Sequence, residues 1–231
     1  MIIWIASYPK SGNTWIRSFI TSYYFTKNGV FDPKKLANVP DYPNQNFFSG
    51  KVIKHGEIYK FWDISQRKIA NEKKVRFLKT HNALINAHGK EFANPKYSLG
   101  AIYVVRDPRN VITSIKNHWD FSDYESALKF MMDKNTYVWG FNNNFSKSQI
   151  ITSWKVNYLS WNKFNKNIKT ILVRYEDLIL NPKSSFREII NFINQITNQK
   201  MVIDEEKFNN AIKTTNFKNM QKIEDAGEFK E

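Results

Sequence analysis

Residues 1–24 read MIIWIASYPKSGNTWIRSFITSYY. The apolar run Ile2–Ala6 is long enough for a buried strand and too short for a helix. Turn-forming residues interrupt the run over residues 8–13. From Trp15 to Tyr24 the apolar residues recur at spacings that place them on one face of a helix. The stretch therefore predicts a strand, a tight loop and a helix, in that order.

A loop between a strand and a helix N-terminus is suited to binding phosphate. Backbone N–H groups converge in such a loop, and the helix dipole adds partial positive charge. Lys10 supplies a full positive charge, and Gly12 follows it. The loop is not a Walker A motif, which needs Gly-x-x-x-x-Gly-Lys-Ser/Thr, because Lys10 precedes the glycine. The alternative is a surface turn in which Trp15 merely packs.

Composition narrows the class of protein. The 231 residues, 42% of them hydrophobic, suffice for one large domain with a sizeable core. We expect no membrane insertion, since no run of about 18 apolar residues occurs, and no signal peptide is evident. The absence of cysteine excludes disulfides and thiolate metal sites and suits a cytoplasmic protein. The net charge of +14 favours an anionic partner: nucleic acid, a membrane surface or a phosphorylated cofactor.

Further apolar runs and helical patterns follow the first stretch. Strands are predicted at residues 75–81, 100–106 and 169–175, and helices at residues 108–119, 122–133, 148–164 and 182–193. We expect Asp107 to cap the first of these helices, with Pro108 at its first position. Strands that alternate with helices predict an α/β fold, a single domain over residues 1–231 with a central parallel sheet flanked by helices.

Each predicted strand ends in residues that can do chemistry. Ligands of parallel sheets bind beyond the carboxyl ends of the strands. Lys10 follows the first strand, Lys79 and His81 the second, Arg106 the third and Tyr175 the fourth. The sequence therefore predicts one site at this edge of the sheet.

Residues 28–74 have weak periodicity and many turn formers, which indicates an irregular, lid-like region within the domain. The aromatic residues of this segment either line a substrate pocket or anchor the loop. We expect residues 28–74 and 119–139 to shape a substrate pocket together.

Two motifs resemble those of the sulfotransferases that use 3′-phosphoadenosine-5′-phosphosulfate (PAPS). Residues 8–15, YPKSGNTW, resemble the family's 5′-phosphosulfate loop, usually written YPKSGTTW, with Asn13 in place of the first threonine. Residues 106–114, RDPRNVITS, resemble the 3′-phosphate site. The planar charged fork of Arg106 suits a phosphate, and the Ser114 hydroxyl adds a donor. By itself, Arg-Asp-Pro could instead be a salt-bridged helix cap.

Three looser matches extend the resemblance to about Met220. They are Lys79-Thr80-His81, RYEDL at residues 174–178 followed by Asn181-Pro182, and TTNFKNM at residues 214–220. Family members usually continue into an Arg-Lys-Gly and Gly-x-x-Gly-x-Trp region that closes on the nucleotide. This sequence reaches Glu231 without that motif, so we expect the nucleotide-closing segment to be missing. Either the sequence is truncated, or a flexible tail is not represented, or the nucleotide is bound with a partial clamp.

The resemblance implies a P-loop nucleotide-kinase-like fold and a reaction. A sulfuryl group would pass from PAPS to a hydroxyl or amine of a small-molecule acceptor, with 3′-phosphoadenosine-5′-phosphate (PAP) as the product and no metal. The lid-like residues 28–74 would then be the acceptor region. His81 would be the general base, a role that suits an imidazole near pH 7. Lys10 would stabilise the leaving phosphate, and Lys79 would lie beside the sulfuryl oxygens. The implied nucleotide-binding residues are Lys10, Ser11, Gly12, Asn13, Thr14, Trp15, Arg106, Ser114, Tyr175, Thr215, Asn216, Phe217 and Met220.

Other interpretations of single residues stay open. A lone histidine is often structural, and His118 ends a predicted helix near the expected site. Glu176 and Asp177 could be metal ligands or an acid/base pair, although capping or ion pairing is the interpretation we prefer.

Two other function classes compete with a sulfotransferase. One is a nucleotide or small-molecule kinase on the same scaffold, which would need ATP and magnesium. The other is a non-catalytic basic protein that binds a nucleotide or polyanion. We expect no nucleic-acid partner, because no basic–aromatic platform for single strands is evident. No sequence feature specifies the acceptor or an oligomeric state.

Overall fold

The structure is a computed structural model, and it describes residues 1–52, 54–140, 144–163 and 165–225. Some predicted regions extend past these ranges. Residues 226–231 of the predicted domain, residue 53 of the lid-like region and residue 164 of a predicted helix lie outside the described residues.

Four parallel strands form the central sheet. The strands of the chain are β1 (Ile2–Ser7), β2 (Arg76–Thr80), β3 (Asn86–Ala87), β4 (Lys90–Glu91), β5 (Ser98–Val105), β6 (Tyr137–Gly140), β7 (Asn144–Ile150) and β8 (Thr170–Arg174). The sheet has the order β2-β1-β5-β8, and every pair of neighbours in it is parallel. The predicted parallel sheet is confirmed. The strand order reverses between β1 and β5, which makes the crevice there the expected ligand site.

Helices cover both faces of this sheet. They are α1 (Asn13–Phe25), α2 (Trp62–Asn71), α3 (Pro108–His118), α4 (Tyr124–Met132), α5 (Trp154–Asn162), α6 (Tyr175–Leu180), α7 (Pro182–Thr197), α8 (Glu205–Thr214) and α9 (Phe217–Asp225). The start of α3 is the one predicted: the Asp107 side chain accepts a hydrogen bond from the backbone of Arg109, and Pro108 occupies the first turn. No helix of the described part of the chain is both long and apolar enough to cross a bilayer.

Alternate residues of β1 enter two separate cores. Ile2, Trp4 and Ala6 lie in the core on one face, together with residues of α2 and α5. Ile3 and Ile5 lie in the core on the other face, with residues of α1, α7 and α8. All five side chains are fully buried. The uninterrupted apolar run of β1 is therefore explained by burial on both faces of the sheet.

The predicted helix over residues 148–164 was wrong at its start. Residues 148–150 belong to β7, which pairs antiparallel with β6. Helix α5 begins only at Trp154, because Thr152 has a positive φ of 58° and the Ser153 side chain caps the helix by accepting a hydrogen bond from Val156. Residues 146, 148 and 150 are all buried, a strand periodicity that the sequence analysis missed.

The segment 28–74 is more regular than predicted. It contains α2 and three short 3-10 helices, at Pro33–Asn38, Gln45–Phe47 and His55–Phe61. Phe48 and Trp62 are buried in the same core as Trp4. Of the two roles considered for the aromatic residues, these two side chains anchor the segment to the core.

The two leucines of α6 provide a matched test of the packing. Leu178 is fully buried in the core beneath the sheet, whereas Leu180, two residues later, is 73% exposed. Leu178→Ala should lower the free energy of unfolding by about 2–5 kcal/mol. Leu180→Ala should change it by about 0.5 kcal/mol or less. Denaturant titration of both variants measures the difference, and equal effects would contradict this packing.

Candidate functional site

The loop between β1 and α1 has the backbone conformation of a tight turn. Lys10 has a φ of 61° and Gly12 a φ of 97°. A Cβ at residue 12 would overlap the ring of Tyr175, so glycine is required by both conformation and space. The first turn of α1 contains no acidic residue. The positive end of the helix dipole is therefore not neutralised by a carboxylate of its own first turn.

Arg106 joins the two predicted phosphate-binding motifs. It follows β5, and its Nη1 donates a 3.1 Å hydrogen bond to the backbone oxygen of Lys10. Its guanidinium lies over the ring of Tyr175, 4.6 Å from the centroid. The strand ends that meet here are β1 and β5, the two that flank the reversal of strand order. The arginine is therefore held at the predicted crevice by contacts to two other predicted site residues.

The salt-bridged cap considered for Arg-Asp-Pro is formed by a different arginine. Arg109, not Arg106, pairs with Asp107, with its Nη2 2.5 Å from Oδ2. The hydrogen bonds from Arg109 lower the pKa of Asp107 to about 2. The backbone N–H of Asp107 donates to Glu176, 2.9 Å away. Glu176 thus has a structural role, which supports the preferred interpretation of that carboxylate.

Five buried side-chain polar atoms in and around the loop have no hydrogen-bond partner among the described residues. They are Tyr8 Oη, Ser11 Oγ, Asn13 Oδ1, Trp15 Nε1 and Arg106 Nε. Buried N–H and O–H groups are nearly always hydrogen bonded in folded proteins. Four of the five can donate a hydrogen bond, whereas the Asn13 oxygen can only accept one. Their clustering beside the loop indicates a ligand that carries mainly acceptor atoms.

His81 contacts Ser7, the last residue of β1 before the loop. Its Nδ1 is 3.0 Å from the backbone oxygen of Ser7 and 3.1 Å from Ser7 Oγ. A carbonyl oxygen can only accept, so the proton of the neutral imidazole is assigned to Nδ1 and the lone pair to Nε2. The His81 backbone N–H donates to Gln149 Oε1, and its carbonyl accepts from Asn157 Nδ2 at 2.9 Å. Hydrogen bonds therefore hold both the backbone and the ring of His81 in place.

Lys79 has a partner that the sequence analysis missed. Its Nζ lies 3.2 Å from Asp41 Oδ1, and residue 41 bridges to residue 79 as a parallel extension beside β2. Burial by itself raises the pKa of Asp41, but Lys79 and Arg17 outweigh it, and the net pKa is below the usual value. In the sequence, Asp41 stands between two proline-containing turns. This position does not reveal that Lys79 is its partner.

Helix α3 contains the predicted residue Ser114 and, one turn later, His118. Ser114 and His118 are four residues apart and therefore share a face of the helix. Partial burial and the positive charges of Lys10 and Lys79 lower the pKa of His118. The end of α3 at His118 therefore lies near Lys10 and Lys79. A phosphate contact from Ser114 stays a prediction.

The comparisons with known proteins agree with this geometry. The model of the sulfotransferase domain family matches residues 2–229. The chain belongs to the sulfotransferase family. Rat sulfotransferase 1A1 is 24% identical over 220 residues, which cover 94% of this chain and 66% of that protein. The chain thus spans slightly less than two thirds of this relative.

Solved sulfotransferase-fold structures resemble the chain as well. The mouse sulfotransferase SULT7A1, crystallised with PAP, superimposes with a TM-score of 0.59 and 17% identity, over 95% of this chain and 64% of that one. Retinol dehydratase in complex with androsterone and PAP gives a TM-score of 0.53 and 17% identity, over 98% of this chain and 69% of that one. At this identity the likeness establishes the shared fold.

Several other residues of this sulfotransferase-family chain were predicted to contact the nucleotide, and some of their side chains pack within the protein. Trp15 packs edge-on against Tyr175, with ring centroids 6.0 Å apart. Thr215 is fully buried and donates to the backbone oxygen of Ala211, and Met220 packs with Phe31 and Leu36. The side chains of Thr215 and Met220 thus contribute to packing. A nucleotide contact from residues 215–220, including Asn216 and Phe217, stays a prediction.

The metal-ligand alternative has no support in the geometry. Within the described ranges, no group of three or more histidine, aspartate or glutamate side chains is arranged to hold a metal ion. Asp177 forms an exposed ion pair with Arg174, three residues earlier in the chain. Arg174 Nη1 lies 3.8 Å from Asp177 Oδ1.

The Asp41–Lys79 pair predicts a pH-dependent stability. Because the folded-state pKa of Asp41 is depressed, its contribution is present above the unfolded-state pKa and is lost as the pH falls through the folded-state value. Asp41→Asn should cost about 1–3 kcal/mol near neutral pH, and the difference from wild type should shrink below about pH 4.

Denaturant titrations of both proteins between acid and neutral pH measure this difference. Glu125→Gln, which removes the exposed Glu125–Lys129 pair, is the matched control and should cost about 0.5 kcal/mol or less. A cost for Asp41→Asn that does not change with pH would contradict the assignment.

Proposed function

We propose that this chain is a PAPS-dependent sulfotransferase that moves a sulfuryl group to a hydroxyl or amine of a small-molecule acceptor. The observation that carries the proposal is the 3.1 Å hydrogen bond from Arg106 to the Lys10 backbone. It brings the sequences that resemble the 5′-phosphosulfate and 3′-phosphate motifs to one end of the sheet. His81 lies beside them, bonded to Ser7 just before the loop.

The residues around the loop fit a nucleotide with two phosphate groups. The loop amides, Lys10 and the buried Ser11 hydroxyl would hold the 5′ end. Arg106 and Ser114 would hold the 3′-phosphate, through a charged fork suited to phosphate oxygens. Trp15 and Tyr175 offer aromatic surface and an indole N–H for the base. PAP in the structures of two relatives of the same fold supports this class of ligand.

PAPS would supply the activated sulfuryl group. The Nε2 lone pair of His81 would take the proton of the acceptor hydroxyl, since Nδ1–H is bonded to Ser7. Lys10 would balance negative charge on the phosphate side, and Lys79, held by Asp41, would add positive charge on the side of His81. These residues act by position and charge, the same means that proteins use in phosphoryl transfer.

Nucleotide binding gives the first test. PAP should raise the melting temperature of the wild-type protein, whereas ATP with magnesium and a single-stranded oligonucleotide should not. Arg106→Ala should weaken PAP binding by about 1.5–3 kcal/mol, because it removes a charged hydrogen-bond donor. Isothermal titration measures the loss.

Arg109→Ala is the matched control for that variant. Arg109 lies three residues away, its side chain is 88% exposed, and it pairs with Asp107. It should bind PAP like the wild type. Stabilisation by ATP with magnesium alone would favour the kinase alternative, and unchanged PAP affinity in Arg106→Ala would remove Arg106 from the site.

Measurements of turnover test the assignment of His81 as the general base. With labelled PAPS and a panel of phenols, alcohols and amines, His81→Ala should lower kcat by about 10²–10⁴-fold, the usual contribution of a general base. PAP affinity should survive the change, since the imidazole is assigned to the acceptor side. His88→Ala, at an exposed turn between β3 and β4, should keep wild-type turnover. A fully active His81→Ala protein would refute the assignment.

A further inference from the structure

Asn13 is the one residue at which the loop departs from the family motif, and its side chain bonds to the protein. Nδ2 donates to the backbone oxygen of Ile5 and to Ser7 Oγ, each at 3.1 Å, and lies 3.4 Å from the backbone oxygen of Thr80. Asn13 is 3% exposed, and Ser7 and Thr80 are fully buried. A single amide therefore ties the start of α1 to the ends of β1 and β2.

Both strand ends that Asn13 holds are connected to His81. Ser7 accepts from Nδ1 of the ring through its carbonyl and hydroxyl oxygens. Thr80 directly precedes His81 in the chain, and its hydroxyl donates to Gln149 Oε1, the same oxygen that accepts from the His81 backbone. The amide thus lies one hydrogen bond away from the group that orients the imidazole.

The orientation matters because histidine does not favour this tautomer on its own. A neutral histidine side chain in water prefers its proton on Nε2, and a protein reverses that preference by bonding Nδ1–H. Only the Nδ1–H form leaves a lone pair on Nε2 for an acceptor proton. If Ser7 were held less firmly, the His81 ring would shift toward the Nε2–H tautomer, which has no lone pair on Nε2.

We propose that Asn13 is a positioning residue that acts through Ser7 to hold His81 in the Nδ1–H tautomer. The inference rests on the proposed function of His81 as the base. It gives Asn13 a role apart from nucleotide binding, and it connects the loop to the base through one side chain.

The test uses the full chain labelled with ¹⁵N-histidine. Long-range ¹H–¹⁵N NMR correlations report which ring nitrogen of each histidine carries the proton, and His81→Gln assigns the His81 signals. Wild type should show the Nδ1–H form. Asn13→Ala should shift the population toward Nε2–H. Asn13→Thr should shift it in the same direction, because a hydroxyl has one hydrogen to share among three acceptors.

Kinetics and binding separate positioning from structure. Asn13→Ala should lower kcat by up to about 10²-fold, as a small misplacement of a reacting group does. The Kd of PAP should stay close to the wild-type value, because Nδ2 bonds to protein atoms and the variant keeps the backbone N–H of residue 13. Ser22→Ala is the matched control. It removes another buried polar side chain of α1, one that bonds within the helix, and it should leave both the His81 spectrum and kcat unchanged.

A double-mutant cycle tests the route through Ser7. If Asn13 acts through that residue, Asn13→Ala should lower the kcat of the Ser7→Ala protein only slightly. Full additivity, or a wild-type tautomer in both Asn13 variants, would overturn the inference.

The NMR measurement needs neither nucleotide nor acceptor. Failure of wild type to bind PAP would therefore refute the proposed function and leave the tautomer result standing.

Discussion

The hydrogen bond between Arg106 Nη1 and the Lys10 backbone oxygen is the contact on which the site depends. It crosses from the end of β5 to the loop after β1, and these strands are neighbours at the point where the strand order reverses. Parallel strands send their carboxyl ends to one edge. Two segments nearly a hundred residues apart thus meet at the edge of the sheet where we propose the anion site.

The charges around this site are distributed in a consistent way. Arg109, three residues after Arg106, is paired with Asp107. Asp41 pairs with Lys79 at the site itself and fixes its ammonium group beside the end of β2. The net charge of +14 attracts anions from a distance. Two cations near this edge of the sheet, Arg109 and Lys79, thus each have a carboxylate partner.

The sequence predicts the sheet and the loop because their signals are local. Buried parallel strands are continuous apolar runs, and the loop residues lie next to each other in the chain. Asp41 and Gln149 escape prediction because their partners, Lys79 and His81, are distant in sequence. The β6–β7 hairpin escapes because its buried positions include serines, which weaken the apolar alternation. The role of Asn13 depends on the register of β1 and β2, which pairs Ala6 with Thr80.

The central claim is that the loop after β1 and Arg106 after β5 bind the two ends of one nucleotide. A crystal structure of the protein with PAP tests it most directly. The account predicts the 5′-phosphate on the backbone N–H groups of residues 10–14 and the 3′-phosphate within hydrogen-bond distance of Arg106. A nucleotide bound elsewhere, or one that contacts the loop while its 3′-phosphate points away from Arg106, would contradict it.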